Sequence, residues 1–148
     1  MHTAFAERHI RSLLLAKTCA ELSARVRTIV YVTGLNHAEV VRLFFVDEQS
    51  APRGRPPESA DWFDNKSNLL DKVEASILVA LFARIRALEF GPADALVGAF
   101  KHYREKCSSG PRISFDRGFD LVCNTYGIWL ADKPQLTLIT CRVRIRRS

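Results

Sequence analysis

The sequence has 148 residues, of which 47% are apolar, and it carries a net charge of +6. This length and apolar content predict one folded domain and exclude a disordered chain. The longest apolar stretch, residues 75–83, is too short to cross a bilayer, which excludes a membrane-spanning protein. Arginine outnumbers lysine, which suits a nucleic-acid partner, although a basic protein without a polyanionic partner remains the alternative.

The N-terminal third of the chain predicts two helices. An imperfect apolar stripe with helical spacing predicts one long helix over residues 8–33, and Gly34 is expected to end it. Asn36 is the expected cap of a second helix that runs to about residue 47. Glu39 follows Asn36 at the spacing of a capping box.

The middle of the chain predicts a connector and a helix. Three prolines and a glycine in residues 48–60 favour an extended connector, since proline does not fit a helix interior. Residues 62–89 predict a helix, and the stretch "SILVALFARI" is apolar nearly all round, which predicts a central, buried element. Gly91 ends this helix and Pro92 begins the next.

The last third of the chain predicts two more helices. The first has one apolar face, formed by Leu96, Phe100, Tyr103 and Cys107. A turn at 108–111 leads to a helix over 114–131, and alternation after Pro134 predicts a strand or an extended tail. The predicted fold class is therefore mainly α.

Residues 25–45 have the layout of a helix-turn-helix. Gly34 provides the turn, and the helix from Asn36 to Phe45 would read DNA bases with its first turn while the preceding helix lies against the backbone. An ordinary pair of helices joined by a glycine turn is the alternative. The predicted DNA-binding residues of this unit are Arg25, Arg27, Asn36, His37 and Arg42.

The connector contains "PRGRP", which resembles the core of a minor-groove hook. An extended arginine pair around a glycine fits a narrow groove. The flanks are acidic, however, and helices are predicted on both sides. We therefore expect Arg53 and Arg55 to supplement the helix-turn-helix and not to act as an independent hook; a rigid surface loop is the alternative.

The C-terminal stretch "CRVRIRRS" is a third basic segment. Alternation places Arg142, Arg144 and Arg146 on one side of an extended chain. Contact with nucleic acid and a frayed, solubilising tail are the two interpretations.

Enzymatic motifs are weak in this sequence. His102 and Glu105 lie three residues apart on a predicted helix, but no second metal pair accompanies them. Neither a glycine-rich phosphate loop nor a nucleophile elbow occurs. The four cysteines are widely spaced, which favours reduced thiols in a cytoplasm. We expect a protein that is not an enzyme and binds no small-molecule substrate.

Three stretches carry a family resemblance. "RGRPPESADWF", "GPADALVGAFKHYREKC" and "FDRGFDLVCNTYGIWLADKPQLTLITC" follow one another in this order. In order and spacing, residues 10–141 resemble the FlhC family, the C subunit of the bacterial flagellar master transcriptional activator. The resemblance implies a mostly helical, cytoplasmic regulator that binds promoter DNA together with an FlhD-type subunit and activates flagellar operons. The alternative is a diverged helical subunit that binds the partner but not DNA, as a modulator or decoy.

The resemblance fails at the family's zinc site. Family members hold zinc with two close cysteine pairs, and here Cys141 matches one ligand while Arg144 stands at the next ligand position. A structural zinc ion takes four ligands, so we expect neither metal nor another cofactor. The resulting expectation is a single domain, 1–148. Its parts are a DNA-binding part at 8–47, a connector at 48–60, a helical core at 61–131 and a basic tail at 132–148.

Overall fold

The computed structural model describes residues 2–45 and 69–130, and within them it confirms a mainly α fold. The predicted connector and the predicted C-terminal strand or tail lie outside the described residues. Six helices occur in the described ranges: α1 His2–Glu21, α2 Val26–Thr33, α3 His37–Phe44, α4 Leu69–Ala87, α5 Pro92–Lys106 and α6 Phe115–Tyr126.

The predicted single helix over 8–33 is wrong, because α1 ends at Glu21 and α2 begins only at Val26. Ser23 takes a left-handed φ of 67°, and the Ala24 amide then donates to the Cys19 carbonyl at 3.0 Å. This hydrogen bond closes the helix end in the manner of a Schellman motif. Glycine usually occupies the left-handed position of such a motif, and the serine here hid the break from the sequence.

The predicted stop and cap between α2 and α3 are confirmed. Gly34 has a φ of 79°, and its amide donates to the Val30 carbonyl at 2.8 Å. The Asn36 side-chain oxygen accepts from the Glu39 amide at 2.7 Å, which satisfies one of the amides left without an intrahelical partner. Residues Gly34, Leu35 and Asn36 alone separate the two helices.

The middle helix, predicted from "SILVALFARI" to be a central, buried element, is buried along one side only. Along α4 the buried residues are Ala75, Leu78, Val79 and Phe82. Within "SILVALFARI" the exposed residues are Ser76, Ala80 and Arg84, and the first turns of α4, with Leu69 and Leu70, are exposed as well. A short turn reverses the chain after α4, so that α5 packs back along it as the second arm of an αα-hairpin.

An aromatic cluster joins α5 to α6. The Phe100 ring meets the Phe115 ring edge-on at 5.2 Å and the Tyr103 ring at 5.6 Å. The Tyr103 hydroxyl donates to Glu74 and accepts from the Ile113 amide at 2.8 Å, which fixes the segment before α6. Gly118 lets α6 approach α4 closely, because a Cβ atom there would lie only 2.8 Å from the Leu78 side chain.

The last helix is shorter than predicted. It ends at Tyr126 and not near residue 131, because Gly127 adopts a left-handed φ of 67°. At its other end the Ser114 hydroxyl accepts from the Arg117 amide at 3.2 Å. Behind α6, Trp129 packs on Phe119 with a ring separation of 5.3 Å.

The three N-terminal helices dock on the α4–α6 core in two places: α1 packs against α5, and α2 makes polar and ring contacts with α6. The Asp116 carboxylate accepts from the Arg25 amide at 3.1 Å and from the Thr28 hydroxyl at 2.6 Å. Tyr31 packs on Phe119 with a ring separation of 6.2 Å. Because the buried apolar residues of both regions form one cluster, the described residues share a single core.

Candidate nucleic-acid interface

The segment from α2 to α3 consists of two short helices around a tight turn. Each helix has eight residues, and three residues separate them. Ile29, Val32, Leu35 and Val40 form the small buried core between them. A glycine turn of three or four residues between two helices is typical of helix-turn-helix units.

Four of the eight residues of α3 are exposed, while Val41 and Phe44 are partly buried against the core. Val40 is its buried residue among those described. His37 and Arg42, both predicted DNA contacts, are exposed, as are Ala38 and Leu43. The N-terminal turn of α3 therefore presents side chains that a groove could accept.

Asn36, which was predicted to contact a base, also has a structural role. Its side-chain oxygen holds the first turn of α3 through the Glu39 amide. Asn36 is nevertheless exposed, beside His37. Asn36 therefore stabilises the start of α3 and, because it is exposed, also contributes to the surface there.

The two predicted phosphate ligands on α2 differ in their surroundings. Arg25 lies with its Nε 3.8 Å from Asp116, and its side chain is only 21% exposed. Arg27 is exposed, and its guanidinium lies 5.8 Å from the centre of the Tyr31 ring. Arg27 can reach a phosphate, whereas Arg25 is committed to joining α2 to α6.

The N-terminal half of α1 lies against α3, which sequence analysis missed. His9 Nε2 is 3.5 Å from a carboxylate oxygen of Glu39, and the Phe5 ring is stacked with the His9 ring at 6.3 Å. Arg8, next to His9 in the chain, is exposed. No sequence motif marks this contact, since it joins residues 30 positions apart through a tertiary fold.

The remaining predicted contacts lie outside the described residues. They are Arg53 and Arg55 of the connector and Arg142, Arg144 and Arg146 near the C-terminus. Cys141, the residue matched to a family zinc ligand, lies there as well. In residues 2–45 and 69–130 the structure brings no three metal-binding side chains together.

The thiols of the described region are buried to different degrees. Burial and, secondarily, the charge of Asp116 raise the pKa of Cys19 to about 12. Burial also raises the pKa of Cys123 to about 11. Both side chains therefore stay protonated at neutral pH, and protonated thiols are poor nucleophiles. Cys107, at the end of α5, is half-buried.

A separate cavity of about 720 Å³ opens beside the C-terminal end of α4. Phe82, Pro92 and Ile128 supply apolar walls, while Arg86 and Glu89 supply opposite charges. Arg86 donates to the Phe90 carbonyl at 2.6 Å, which fixes the turn after α4. Tyr126, at the end of α6, also lines this cavity.

No model of a known protein family matches this chain, and no curated protein is significantly similar to it. The resemblance to FlhC therefore remains a prediction from the quoted stretches. None of the helices in the described ranges is both long and apolar enough to span a membrane.

Proposed function

We propose that the chain is a DNA-binding transcriptional regulator, similar to FlhC, and not an enzyme. In this proposal it acts in the cytoplasm with an FlhD-type subunit at flagellar promoters and activates transcription. The observation that carries the DNA-binding part is the capped α3 after its glycine turn, with His37 and Arg42 exposed. The flagellar target and the partner rest on the sequence resemblance alone.

The arrangement around α3 suits insertion into a major groove. A recognition helix needs rigid support on one side and exposed side chains on the other. Val40 anchors α3 in the core, and α1 holds its first turn through His9 and Glu39. Arg42 would then contact a base or a phosphate.

Arg27 is the phosphate ligand that this proposal assigns to α2. The preceding helix of such a unit lies against the DNA backbone, where an exposed guanidinium neutralises a phosphate. Arg25 becomes a supporting residue because Asp116 already holds it. Arg53, Arg55 and the C-terminal arginines would add charge to the same contact.

A titration on a flagellar promoter, with and without the FlhD-type subunit, tests the proposal. Replacing Arg42 by alanine should weaken promoter binding by about tenfold or more and reduce the salt dependence. Arg104→Ala is the matched control, because it removes the same charge from an exposed position on α5. The control variant should bind almost as tightly as the unmodified protein.

Two results would contradict the proposal. One is the absence of a promoter complex at low salt, whether or not the partner is present. The other is an equal loss of affinity in Arg42→Ala and Arg104→Ala, which would indicate a nonspecific charge effect. The combined replacement of Arg42, Arg53 and Arg55 by alanine then measures what the connector adds.

A second candidate function is a partner-binding subunit without productive DNA binding. The observation in its favour is the set of large apolar side chains that are exposed on α1, α4 and the turn after α4. Surfaces of this kind often mark protein contacts. Co-purification with the FlhD-type subunit, combined with no promoter shift, would favour this function.

A further inference from the structure

The outer face of α1 carries four exposed residues in a regular series. Glu7, Ile10, Leu14 and Lys17 follow one another at spacings of three, four and three residues, so they share one stripe of the helix. Ile10 is 55% exposed and Leu14 is 61% exposed. The helix is thus apolar on the side that faces away from the molecule as well as on the side that packs inward.

The charges of the stripe are placed symmetrically about its apolar centre. Glu7 precedes Ile10 by three residues, and Lys17 follows Leu14 by three. If a second α1 lies antiparallel to the first, Ile10 meets Leu14 of the other copy and Glu7 meets Lys17. Both pairs then form twice, which is the property of a two-fold, isologous contact.

We propose that this stripe binds a second copy of the chain, with the two α1 helices antiparallel across a two-fold axis. Charge complementarity identifies a second copy as the binding partner, because two identical stripes place opposite charges against each other only when the two helices are antiparallel. In a parallel pair each Glu7 would face the other Glu7. Within the part of the chain that the structure describes, neither Glu7 nor Lys17 belongs to an ion pair, so both are available.

The surface relief of α1 fits such packing. Four residues surround a shallow depression of about 280 Å³ on this face: Glu7, Ile10, Arg11 and Leu14. Residues at positions i, i+3, i+4 and i+7 form the hole that receives one side chain of a facing helix in knobs-into-holes packing. In the antiparallel arrangement the knob is Leu14 of the other copy.

The apolar centre is small, which sets the strength of the contact. Only Ile10 and Leu14 of each copy contribute large apolar side chains, and the two Arg11 side chains approach each other near the axis. Like charges across a contact oppose association. We therefore expect a reversible dimer whose population rises with protein concentration. It does not depend on the proposed binding of DNA.

Sedimentation of the purified full chain, across a wide range of concentration and without DNA, tests the dimer. Leu14→Glu should shift the midpoint of dimerisation by about tenfold or more to higher concentration. The control is Leu69→Glu, the same change at an exposed leucine on α4, which should leave the midpoint unchanged. Circular dichroism verifies that both variants keep their helical content.

Charge exchange gives the sharper test. Glu7→Lys places four lysines around the axis, and Lys17→Glu places four glutamates there, so each variant alone should dimerise roughly tenfold more weakly. An equimolar mixture of the two variants should form a heterodimer, because each lysine again meets a glutamate. A mixture no more associated than its components would overturn the proposal. So would a chain that stays monomeric at every concentration, or a dimer abolished by Leu69→Glu.

Discussion

The three-helix region α1–α3 and the α4–α6 core bury different kinds of side chain. The core is rich in aromatic side chains, with Phe82, Phe100, Tyr103 and Phe115 fully or almost fully buried. The buried residues of α1–α3 carry no aromatic ring: they are Ala16, Cys19, Val26, Thr28, Ile29, Val32 and Val40. An aromatic core fixes helix positions through many contacts, whereas α3 is held by the buried Val40, by the partly buried Val41 and Phe44, and by its cap and its contact with α1.

Because of this difference, the α4–α6 core supports the fold, while α3 presents exposed side chains at the surface. The exposed positions of α3 can vary without loss of the fold, so their side chains can serve binding. The aromatic core has no such freedom, because each of its positions is packed on several sides.

Shortening a buried side chain in the α4–α6 core should lower the free energy of unfolding more than shortening one in α1–α3. Phe82→Ala removes a ring that packs on Tyr126 at 5.1 Å, and we expect the free energy of unfolding to fall by about 3–5 kcal/mol. Val40→Ala is the matched change in α3, with an expected loss of about 1–3 kcal/mol. Urea denaturation of both variants measures the two values, and equal losses would contradict the proposed division.

Removing the contacts of Asp116, which join α2 to α6, should destabilise α2 more than α4. Asp116→Ala removes the acceptor of the Arg25 amide and the Thr28 hydroxyl and the carboxylate beside the Arg25 guanidinium. We expect a loss of about 2–4 kcal/mol, with less for Asp116→Asn, which keeps an acceptor oxygen. Hydrogen exchange should accelerate at the first turn of α2 while α4 stays protected; an equal rise in both would argue against a local joint.

Straining the turn between α2 and α3 should produce a smaller, purely backbone effect. A methyl group at Gly34 would meet no described atom within 4 Å, so Gly34→Ala costs only the left-handed conformation, about 1 kcal/mol. Gly91→Ser is the control, because Gly91 caps α5 with an ordinary φ of −64° and serine caps well. Thermal melts distinguish the two; destabilisation by Gly91→Ser of the same size would rule out strain as the cause.

The buried thiols should give the smallest effect at neutral pH and a visible one in alkali. Because the pKa of Cys19 is raised from 9.0 to about 12, the folded state keeps the proton that the unfolded state releases. The resulting stabilisation is complete below pH 9.0 and declines as the pH rises toward 12. Cys19→Ala should flatten this decline of the free energy of unfolding. Cys123, Tyr103 and Tyr126 should contribute further to the decline, since burial also raises the pKa of each. An unchanged alkaline slope in the variant would contradict the assignment.

The sequence predicted those features that depend on local signals. Gly34 and Asn36 mark the end of α2 and the start of α3 by their own conformational preferences, and both were placed correctly. The break after α1 was missed, because Ser23 is not a usual left-handed residue and because Asp116, far along the chain, supplies the cap of α2.

Tertiary context limited the prediction of the candidate interface. From sequence, Arg25 and Arg27 look equivalent, and only the position of Asp116 separates a supporting arginine from an exposed one. The stretch "SILVALFARI" predicted a central, buried helix, and its exposed side was missed because periodicity reports hydrophobicity and not the number of neighbouring helices. No sequence signal predicted the contact between His9 and Glu39, because the local sequence around each residue does not indicate its partner.

The bond between Arg25 and Asp116 also has a consequence for synthesis on the ribosome. It spans 91 positions, so α1, α2 and α3 leave the exit tunnel well before the residue that completes the start of α2 has been made. A chain is made at about 5–20 residues per second, which leaves this helix end incomplete for several seconds in each round of translation. Contacts of such long range also form late in folding. We therefore expect the nascent N-terminal region to acquire its final shape only when α6 has emerged.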